Sequence, residues 1–275
     1  MKETVDRRFK WTPEAVSRYW NFVSTRRDFE SQYFSKQLGF GVVEFLNLAV
    51  PLAGKSVLDY GCGPGFLGGP LLAHGAQVFG IDSSESSVIE ANRRFEGVRG
   101  WGGAQVRGVE AASHGDSEFD VICCVETIEH LLPDDLTPVL LDVLRLLKPG
   151  GTALFTTPNN EDLGLSMNYC PNCGVEYHQW QHVRNWTGET LRSALRECGF
   201  EVVECVDLDF GDFQPKKRVP VTNMGLRGAA SITLEVFRRV LDQLDTGSFP
   251  HLRALKRRFG DGSAPHLAAV VRRPS

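Results

Sequence analysis

A glycine-rich stretch follows a short apolar run near residue 60. Residues 57–65 read Val-Leu-Asp-Tyr-Gly-Cys-Gly-Pro-Gly, which predicts a buried parallel strand and then a tight turn that can approach a ligand closely. The helix after such a turn starts with free N–H groups directed at the ligand. A second apolar run, residues 77–81, ends in Asp82, 21 residues after Gly61. An acid at that spacing is typical of ribose recognition in nucleotide-binding βαβ units, so the pattern predicts a nucleoside-cofactor site.

The glycine spacing and the acid ahead of it narrow the choice of cofactor. Dinucleotide sites use Gly-x-Gly-x-x-Gly, whereas this loop reads Gly-x-Gly-x-Gly with Asp59 just before it. A carboxylate there favours a ligand with an ammonium group and repels a pyrophosphate. S-adenosylmethionine has an amino-acid end and no phosphate, so it is the expected cofactor.

Two carboxylates and an imidazole follow the apolar run at residues 121–125. Glu126, Glu129 and His130 form a Glu-x-x-Glu-His motif within one turn of a strand end. Carboxylate and imidazole together suit a divalent cation, and a histidine with a near-neutral pKa can also accept a proton from an acceptor group. Acidic residues favour the first turn of any helix, which is the structural alternative. We predict that these three residues are the catalytic group, acting as a base or through a metal.

A second metal motif lies in the segment at residues 160–185. Cys170, Cys173, His178 and His182 are spaced as C-x2-C-x4-H-x3-H, and Cys-Pro-x-Cys-Gly is a turn that presents two thiolates to one ion. A redox pair is one alternative, although a redox C-x-x-C normally opens a helix in a thioredoxin-like unit. An inert loop is the other. We predict a structural zinc site of the zinc-knuckle kind.

Strand-like and helix-like stretches alternate along the chain, which predicts an α/β fold with helices on both faces of a parallel sheet. The predicted strands are residues 56–60, 77–81, 104–107, 120–125, 152–157, 201–207 and 266–271. The predicted helices are residues 12–36, 40–53, 84–95, 134–147 and 187–199. We expect residues 1–40 to form an N-terminal helical cap on a domain of residues 41–275. That domain carries insertions at 160–185 and 209–264, the second of them basic and helical near 231–244.

The ordered set of motifs resembles that of the class I S-adenosylmethionine-dependent methyltransferases. The resemblance spans roughly residues 40–208, and its motifs are the glycine loop, Phe-Asp-Val-Ile at 119–122, Leu-Lys-Pro-Gly-Gly at 147–151 and Thr-Thr-Pro-Asn at 156–159. It implies a Rossmann-like, doubly wound, mostly parallel seven-stranded sheet whose last strand is antiparallel. It also implies that the N-terminal helices cap the cofactor, with simple packing on the domain edge as the alternative.

The resemblance assigns roles around the cofactor. In that family the positions of Asp59 and the glycine loop meet the methionine moiety, the position of Asp82 meets the ribose, and that of Glu110 meets the adenine end. A plain surface glutamate is the alternative for Glu110. The predicted cofactor-binding residues are Asp59, Tyr60, Gly61, Cys62, Gly63, Gly65, Asp82, Ser83, Glu110 and Val125.

A local feature is similar to the RNA 3′-terminal 2′-O-methyltransferases that act on small RNAs. Those enzymes carry Glu-x-x-Glu-His and a further histidine before a Trp-Thr pair, and here His182 lies four residues before Trp186-Thr187. The resemblance implies that Glu126, Glu129, His130 and His182 hold a divalent metal that grips ribose hydroxyls. It does not carry the RNA substrate with it. His182 cannot easily serve both this metal and the zinc.

Composition limits the cellular setting. The chain has 275 residues, of which 42% are hydrophobic, enough for a packed core. No apolar stretch approaches bilayer length, and residues 1–6 lack a signal-peptide core. Seven cysteines, with Cys123 and Cys124 adjacent, do not indicate a secreted disulfide framework. We expect a cytoplasmic, reduced protein without a membrane partner.

The net charge of −4 conceals a basic C-terminal segment. Residues 211–275 contain twelve Lys and Arg against five Asp and Glu, with clusters at 216–218 and 256–258. A solvated face that complements an acidic body is one interpretation. A docking surface for an anionic acceptor, such as a phosphate, a nucleotide or RNA, is the other.

The predicted function is methyl transfer from S-adenosylmethionine, with oxygen of a small-molecule or sugar acceptor as the expected target. Metal-dependent methylation of an RNA 3′ end is the alternative within the same chemistry. A nicotinamide-dependent reductase or epimerase is disfavoured by the glycine spacing and by the lack of a Tyr-x-x-x-Lys pair. A non-catalytic nucleotide-binding protein is disfavoured by the intact loop with Asp59 and Asp82.

Overall fold

A seven-stranded sheet forms the centre of the structure, a computed structural model that describes residues 8–107, 114–214 and 264–275. Numbered along the chain, its strands are β1 (Ser56–Tyr60), β2 (Gln77–Asp82), β3 (Trp101–Val106), β4 (Phe119–Val125), β5 (Leu147–Pro158), β8 (Glu201–Leu208) and β9 (His266–Arg272). Their order is β3-β2-β1-β4-β5-β9-β8, and only β9 runs antiparallel to its neighbours. The predicted mostly parallel sheet with a late antiparallel strand is confirmed.

Helices cover both faces of the sheet. They are α2 (Phe34–Ala49), α3 (Gly68–Ala73), α4 (Glu85–Arg94), α5 (Pro133–Leu146) and α6 (Gly188–Glu197). Alternate residues of β4 point to opposite cores, because successive side chains of a strand face opposite ways. Ile122 and Cys124 pack with α5 and α6, whereas Val121 and Cys123 pack with α2 and α3. This doubly wound arrangement gathers the carboxyl ends of the parallel strands at one edge.

Helix starts next to this edge are fixed by side-chain caps. Ser84, directly after β2, accepts a hydrogen bond at its hydroxyl from the Ser87 amide at 3.1 Å and so starts α4. Thr187 and Thr190 form a reciprocal capping box at the start of α6. Such caps satisfy amide groups that the first helical turn leaves without partners. The loops that carry the site residues are thereby joined to rigid elements.

The N-terminal region differs from the predicted single helix over 12–36. It forms α1 (Pro13–Ser24), then a 3-10 helix over Arg27–Gln32, and then α2. The break follows from Thr25, whose hydroxyl donates to the Phe22 carbonyl at 2.9 Å and competes with helix continuation. The domain boundary expected at residue 40 falls inside α2.

Two further differences have local causes. Strand β3 begins at Trp101 rather than 104, because Gly102 packs so closely on Phe79 that a Cβ would lie 2.1 Å from its ring. Glycine carries little strand propensity, so the sequence conceals this start. The segment at 160–185 holds an unpredicted hairpin of β6 (Met167–Tyr169) and β7 (Glu176–His178).

Some expectations fall outside the described residues, namely Glu110, the helix near 231–244 and the two basic clusters. Within the described ranges, no helix is both long and apolar enough to cross a bilayer.

Candidate active site

The carboxyl ends of β1, β2 and β4 border a cavity of about 320 Å³. Among the predicted cofactor residues, those that line it are Tyr60, Gly61, Cys62, Gly63, Asp82, Ser83 and Val125. Glu126, His130 and His182 line the same cavity. Asp59 is buried, and neither it nor Gly65 contributes to the lining. Ligands in open parallel sheets bind at such strand ends, so the cavity lies where a nucleoside cofactor is expected.

The glycine loop is a cradle fixed to β2. The amides of Gly61 and Cys62 donate to the Ile81 carbonyl at 2.7 and 3.0 Å, and the Gly63 amide donates to Asp82 Oδ2 at 2.8 Å. Gly61 and Gly63 have φ of +83° and +51°, a region that favours glycine.

The positions of this loop require glycine for different reasons. A Cβ on Gly61 would lie 2.5 Å from Thr127 Oγ1, and one on Gly65 would lie 3.1 Å from Ala91, so both positions serve packing. Among the described residues, a Cβ on Gly63 would meet Tyr33 alone, at 3.6 Å, and both residues line the cavity. Gly63 therefore leaves room for a ligand rather than for a neighbouring side chain.

Two buried carboxylates lie near the loop. Asp82 Oδ1 accepts from the Ser84 amide at 2.8 Å. Burial raises the pKa of Asp82, although hydrogen bonds from Ser84 and Gly63 act against it. Burial and the charge of Asp82 raise the pKa of Asp59 to about 8. A cationic group bound in this region would stabilise both carboxylates in their charged form.

Glu126 ends β4 in an unusual backbone conformation. Its φ is +48°, which is uncommon outside glycine and persists only where the surroundings enforce it. Thr156 of β5 does so, because its hydroxyl accepts from the Glu126 amide at 3.1 Å and donates to Oε1 at 2.9 Å. Burial raises the pKa of the Glu126 carboxyl.

Glu129 and His130 present buried polar atoms without partners. Glu129 is 1% exposed, and within the described part of the chain neither of its carboxylate oxygens makes a hydrogen bond. His130 Nδ1 is likewise buried and unpartnered, and His130 Nε2 lies 3.8 Å from Glu129 Oε1. Burial and the charge of Glu126 raise the pKa of Glu129, whereas burial and nearby His182 lower the pKa of His130. Unpaired buried groups of this kind need a partner, which a water, a ligand or an ion can supply.

His182 lies next to His130 and Glu129. Its ring lies 4.8 Å from that of His130 and stacks on His178 at 4.5 Å. Ligand atoms of Glu129, His130 and His182 lie within 4.8 Å of one another, close enough to share one ion. The alternative left open by the sequence, that His182 belongs with the Glu-x-x-Glu-His motif, agrees with this geometry.

Glu161, which no motif in the sequence indicates, contacts the Nδ1 side of the His182 ring. Glu161 Oε2 lies 2.5 Å from His182 Nδ1, and Oε1 lies 3.4 Å from His178 Nε2. The His182 amide donates to His178 Nδ1 at 3.2 Å, so a neutral His178 carries its proton on Nε2. Burial raises the pKa of Glu161, but contacts with His178 and His182 outweigh it and lower the pKa to about 2. A charged Glu161 thus fixes the His182 ring and leaves its Nε2 free.

The four predicted zinc ligands are not brought together. In the described residues, the groups that could share an ion place His178 and His182 with Glu161, not with the cysteines. Cys170 and Cys173 lie in the turn between β6 and β7, where the Gly174 amide donates to the Cys170 carbonyl at 2.8 Å. Hydrogen bonds from Cys173 lower the pKa of the Cys170 thiol. The two cysteines therefore form a pair of their own.

The N-terminal helix α1 packs over the cluster. Trp20 lines the cavity and contacts the His130 ring edge-on, with centroids 4.9 Å apart. Its Nε1 donates to Gln181 Oε1 at 2.8 Å, and Gln181 Nε2 donates to the His130 carbonyl at 2.8 Å. The aromatic residues of the N-terminal region could have indicated that α1 covers this cluster. No pattern in the sequence indicates the role of Gln181.

Comparisons with known proteins agree with this geometry. The family model described as a methyltransferase domain matches residues 34–205. The ubiquinone biosynthesis O-methyltransferase of Coxiella burnetii is 35% identical over 117 residues, which are 42% of this chain and 49% of that protein. The corresponding enzyme of Thiobacillus denitrificans is 38% identical over 118 residues, 42% of this chain and 50% of that protein. The match thus spans about half the length of these curated relatives.

Solved structures share the fold at low identity. The Burkholderia thailandensis 1,6-didemethyltoxoflavin-N1-methyltransferase with bound S-adenosylhomocysteine has a TM-score of 0.57 at 16% identity, covering 98% of this chain and 94% of that one. The Haemonchus contortus phosphoethanolamine N-methyltransferase 2 with S-adenosyl-L-methionine has a TM-score of 0.54 at 16% identity, covering 100% and 61%. With the family model matching more than half of its residues, the chain belongs to the class I S-adenosylmethionine-dependent methyltransferases.

Proposed function

We propose that this methyltransferase transfers its methyl group to a hydroxyl oxygen of a small-molecule or sugar acceptor. The observation that carries the proposal is the cluster of Glu129, His130 and His182, with Glu126 on the lining of the adjoining cofactor cavity. Methyl transfer to oxygen needs a group that takes or displaces the hydroxyl proton, whereas a cluster of this kind has no use in cofactor binding alone. The names of the curated relatives, which are O-methyltransferases, point the same way.

The cavity fits S-adenosylmethionine. The backbone of the glycine loop would hold its methionine end, and Asp82 would accept from its ribose hydroxyls. The open side of Gly63 is the space that the cofactor would take, since only Tyr33 lies across from it. Bound there, the cofactor supplies a methyl group already activated by its positive sulfur. The protein's part is to align donor and acceptor and to exclude water.

Two ways of handling the acceptor proton are compatible with the cluster. Desolvation lowers the pKa of His130, which favours the neutral imidazole; this form can ligate a cation but is a weaker proton acceptor than an ordinary histidine. The raised pKa values of Glu126 and Glu129 mean that these carboxyls retain protons more readily than exposed glutamates do. A cation would displace those protons, because metal ligands must be deprotonated.

The donor set favours a divalent cation as a second candidate mechanism. Two unpaired carboxylate oxygens on Glu129 and an unpaired nitrogen on His130 are what an absent ion would leave. Glu129, His130 and His182 would hold it, whereas Glu126 accepts a hydrogen bond from Thr156 and is not part of that group. The Lewis acidity of the cation would polarise acceptor hydroxyls. The resemblance to RNA 3′-end methyltransferases implies a metal site of this kind, although it does not carry the substrate with it. An RNA end is therefore the alternative acceptor.

Metal content tests both metal proposals. The sequence predicts one zinc ion per chain in protein purified without added metal. Because the structure places His178 and His182 with Glu161, zinc at Cys170 and Cys173 requires two further ligands to move to them, and Cys170→Ser should then lose the ion. If the acidic cluster also holds a cation, a mild chelator should abolish methyl transfer without removing the zinc, and a divalent ion should restore it. Elemental analysis alongside activity measures this. A zinc content near zero in reduced protein would leave the cysteine turn an ordinary loop.

A cytoplasmic setting remains our proposal for location. All seven cysteines are free, including the exposed Cys173. An odd number of cysteines, with Cys123 and Cys124 adjacent, does not indicate a secreted disulfide framework, and this supports the proposal.

A screen with a methyl-labelled donor tests the proposed function. Phenols, sugars and short RNA oligonucleotides are the acceptor arms, and the product is analysed for the atom that carries the label. We expect the label on a hydroxyl oxygen. Label found only on nitrogen or carbon would overturn the assignment to oxygen while leaving the family intact.

A further inference from the structure

A second cavity, of about 300 Å³, lies on the other side of His182. His182 lines both this cavity and the cofactor cavity, whereas His130 lines only the latter and His178 only the former. The two spaces therefore meet at one imidazole. That imidazole is the one which Glu161 holds and which faces the cluster of Glu129 and His130.

The walls of the second cavity are built by three separated parts of the chain. The N-terminal segment joins the β6–β7 hairpin, because the Phe9 amide donates to the Glu176 carbonyl at 2.8 Å. Trp11 packs edge-on against Phe9 and Tyr177, with centroids 5.0 and 6.3 Å apart. The loop that follows the Glu-x-x-Glu-His motif contributes Leu132 to the opposite wall. These contacts hold the aromatic rings in place before any ligand arrives.

The size of the cofactor cavity favours a separate space for the acceptor. At about 320 Å³ it is at the lower end of the range for pockets that hold one drug-sized ligand. S-adenosylmethionine would therefore occupy most of it. The acceptor would then reach the donor methyl from a different space. The second cavity, which shares His182 with the cofactor cavity, is such a space.

We propose that the cleft between the N-terminal segment and the β6–β7 hairpin binds the methyl acceptor, and that this acceptor is a phenolic compound whose hydroxyl meets His182. The proposal rests on the proposed function. In the transfer, the hydroxyl oxygen bonds to the methyl carbon as the sulfur–carbon bond breaks, and the electron pair of that bond stays on sulfur. The hydroxyl proton leaves to the acid and imidazole cluster.

The lining of the cleft selects a flat apolar ring. Phe9, Trp11 and Tyr177 offer aromatic faces and edges, and Leu163 and Met167 add further apolar surface. Aromatic rings pack on one another edge-on or offset, and such pairs stabilise beyond the area they bury. The polar side chains that line this cleft are Arg8, Glu176, Tyr177, His178 and His182, so a ring packed on the aromatic residues can present its hydroxyl to an imidazole.

The test uses catechol as the probe, on protein saturated with S-adenosylhomocysteine and then in turnover with labelled donor. We expect Trp11→Ala to weaken catechol binding and raise its KM about tenfold, with unchanged affinity for S-adenosylhomocysteine. Leu163→Trp, which leaves the Trp11 contacts intact and fills the cleft, should have the same effect. Phe22→Ala is the matched control, since Phe22 is 53% exposed on α1 and lines neither cavity.

The outcomes distinguish failure of the proposed acceptor cleft from failure of the proposed O-methylation. Methyl transfer to catechol that is equally efficient in Trp11→Ala and Leu163→Trp would overturn the cleft and leave O-methylation standing. Catechol binding that depends on Trp11, without any methyl transfer, would support the cleft and count against the proposed function. No catechol binding by the unaltered protein, or binding of methyl α-glucoside or an RNA oligonucleotide in its place, would overturn the phenolic class.

Discussion

Replacing His130 by alanine is expected to lower turnover by about 10²–10⁴-fold while leaving affinity for S-adenosylhomocysteine nearly unchanged. His130 lines the cavity beside Glu129 and His182, but it lies beyond the glycine loop that would hold the cofactor. Its loss removes a base or a metal ligand, and both roles act on the acceptor rather than on cofactor binding. Turnover with labelled donor, together with calorimetry, measures the two effects separately.

The control for this change is another half-buried histidine. His74 contacts the Pro70 carbonyl and Glu44 through its two ring nitrogens and lines no part of the active-site cavity. His74→Ala should therefore retain turnover. If His130→Ala also keeps full turnover, His130 is excluded from catalysis, and the acids before it only favour the start of a helix.

The second large effect is expected at the glycine loop, where Gly63→Val should abolish measurable binding of S-adenosylhomocysteine. The valine side chain would project toward Tyr33 and take the space between loop and cavity wall. Positive φ adds strain, since Gly63 sits at +51°. Calorimetry gives the binding loss, and the melting temperature shows whether the fold survives.

Gly97→Val separates strain from obstruction. Gly97 has φ of +70°, and a Cβ there would have no heavy atom within 4 Å, so the change carries backbone strain without entering the cavity. We expect Gly97→Val to lower the melting temperature about as much as Gly63→Val while keeping cofactor affinity. Equal affinity in both variants would show that the cofactor does not occupy the space at Gly63.

Much of the fold could be predicted from the sequence because its signals are local. The apolar run before Asp59 predicts β1 by short-range chemistry alone. The proline and glycines at 149–151 predicted a strand start at residue 152, whereas β5 already begins at Leu147 and contains them. The start of β3 could not be seen, because Gly102 is selected by its contact with Phe79, a residue on another strand. The hairpin of β6 and β7 has strands of three residues, too short for a periodic signal.

In the candidate site too, residues close together in the sequence could be predicted, whereas a residue brought in by the fold could not. Spacing identified Glu126, Glu129 and His130 because they follow one strand. Spacing also suggested that His178 and His182 join two cysteines, whereas the fold brings Glu161 to them from outside the motif. Spacing in the sequence indicates which residues could share an ion. It does not indicate that a distant carboxylate, here that of Glu161, contacts the same histidines in the fold.

Calorimetry with S-adenosylhomocysteine and with NAD, on the unaltered protein, tests the account most directly. Asp82 lines the cavity, and Asp59 is buried behind the glycine loop. A cationic ligand would stabilise the charged form of both carboxylates, so the site should accept a ligand with an ammonium group and disfavour a pyrophosphate. We predict saturable binding of S-adenosylhomocysteine at one site per chain and no detectable heat with NAD. NAD binding of comparable strength would contradict the cofactor assignment, and with it the proposed methyl transfer.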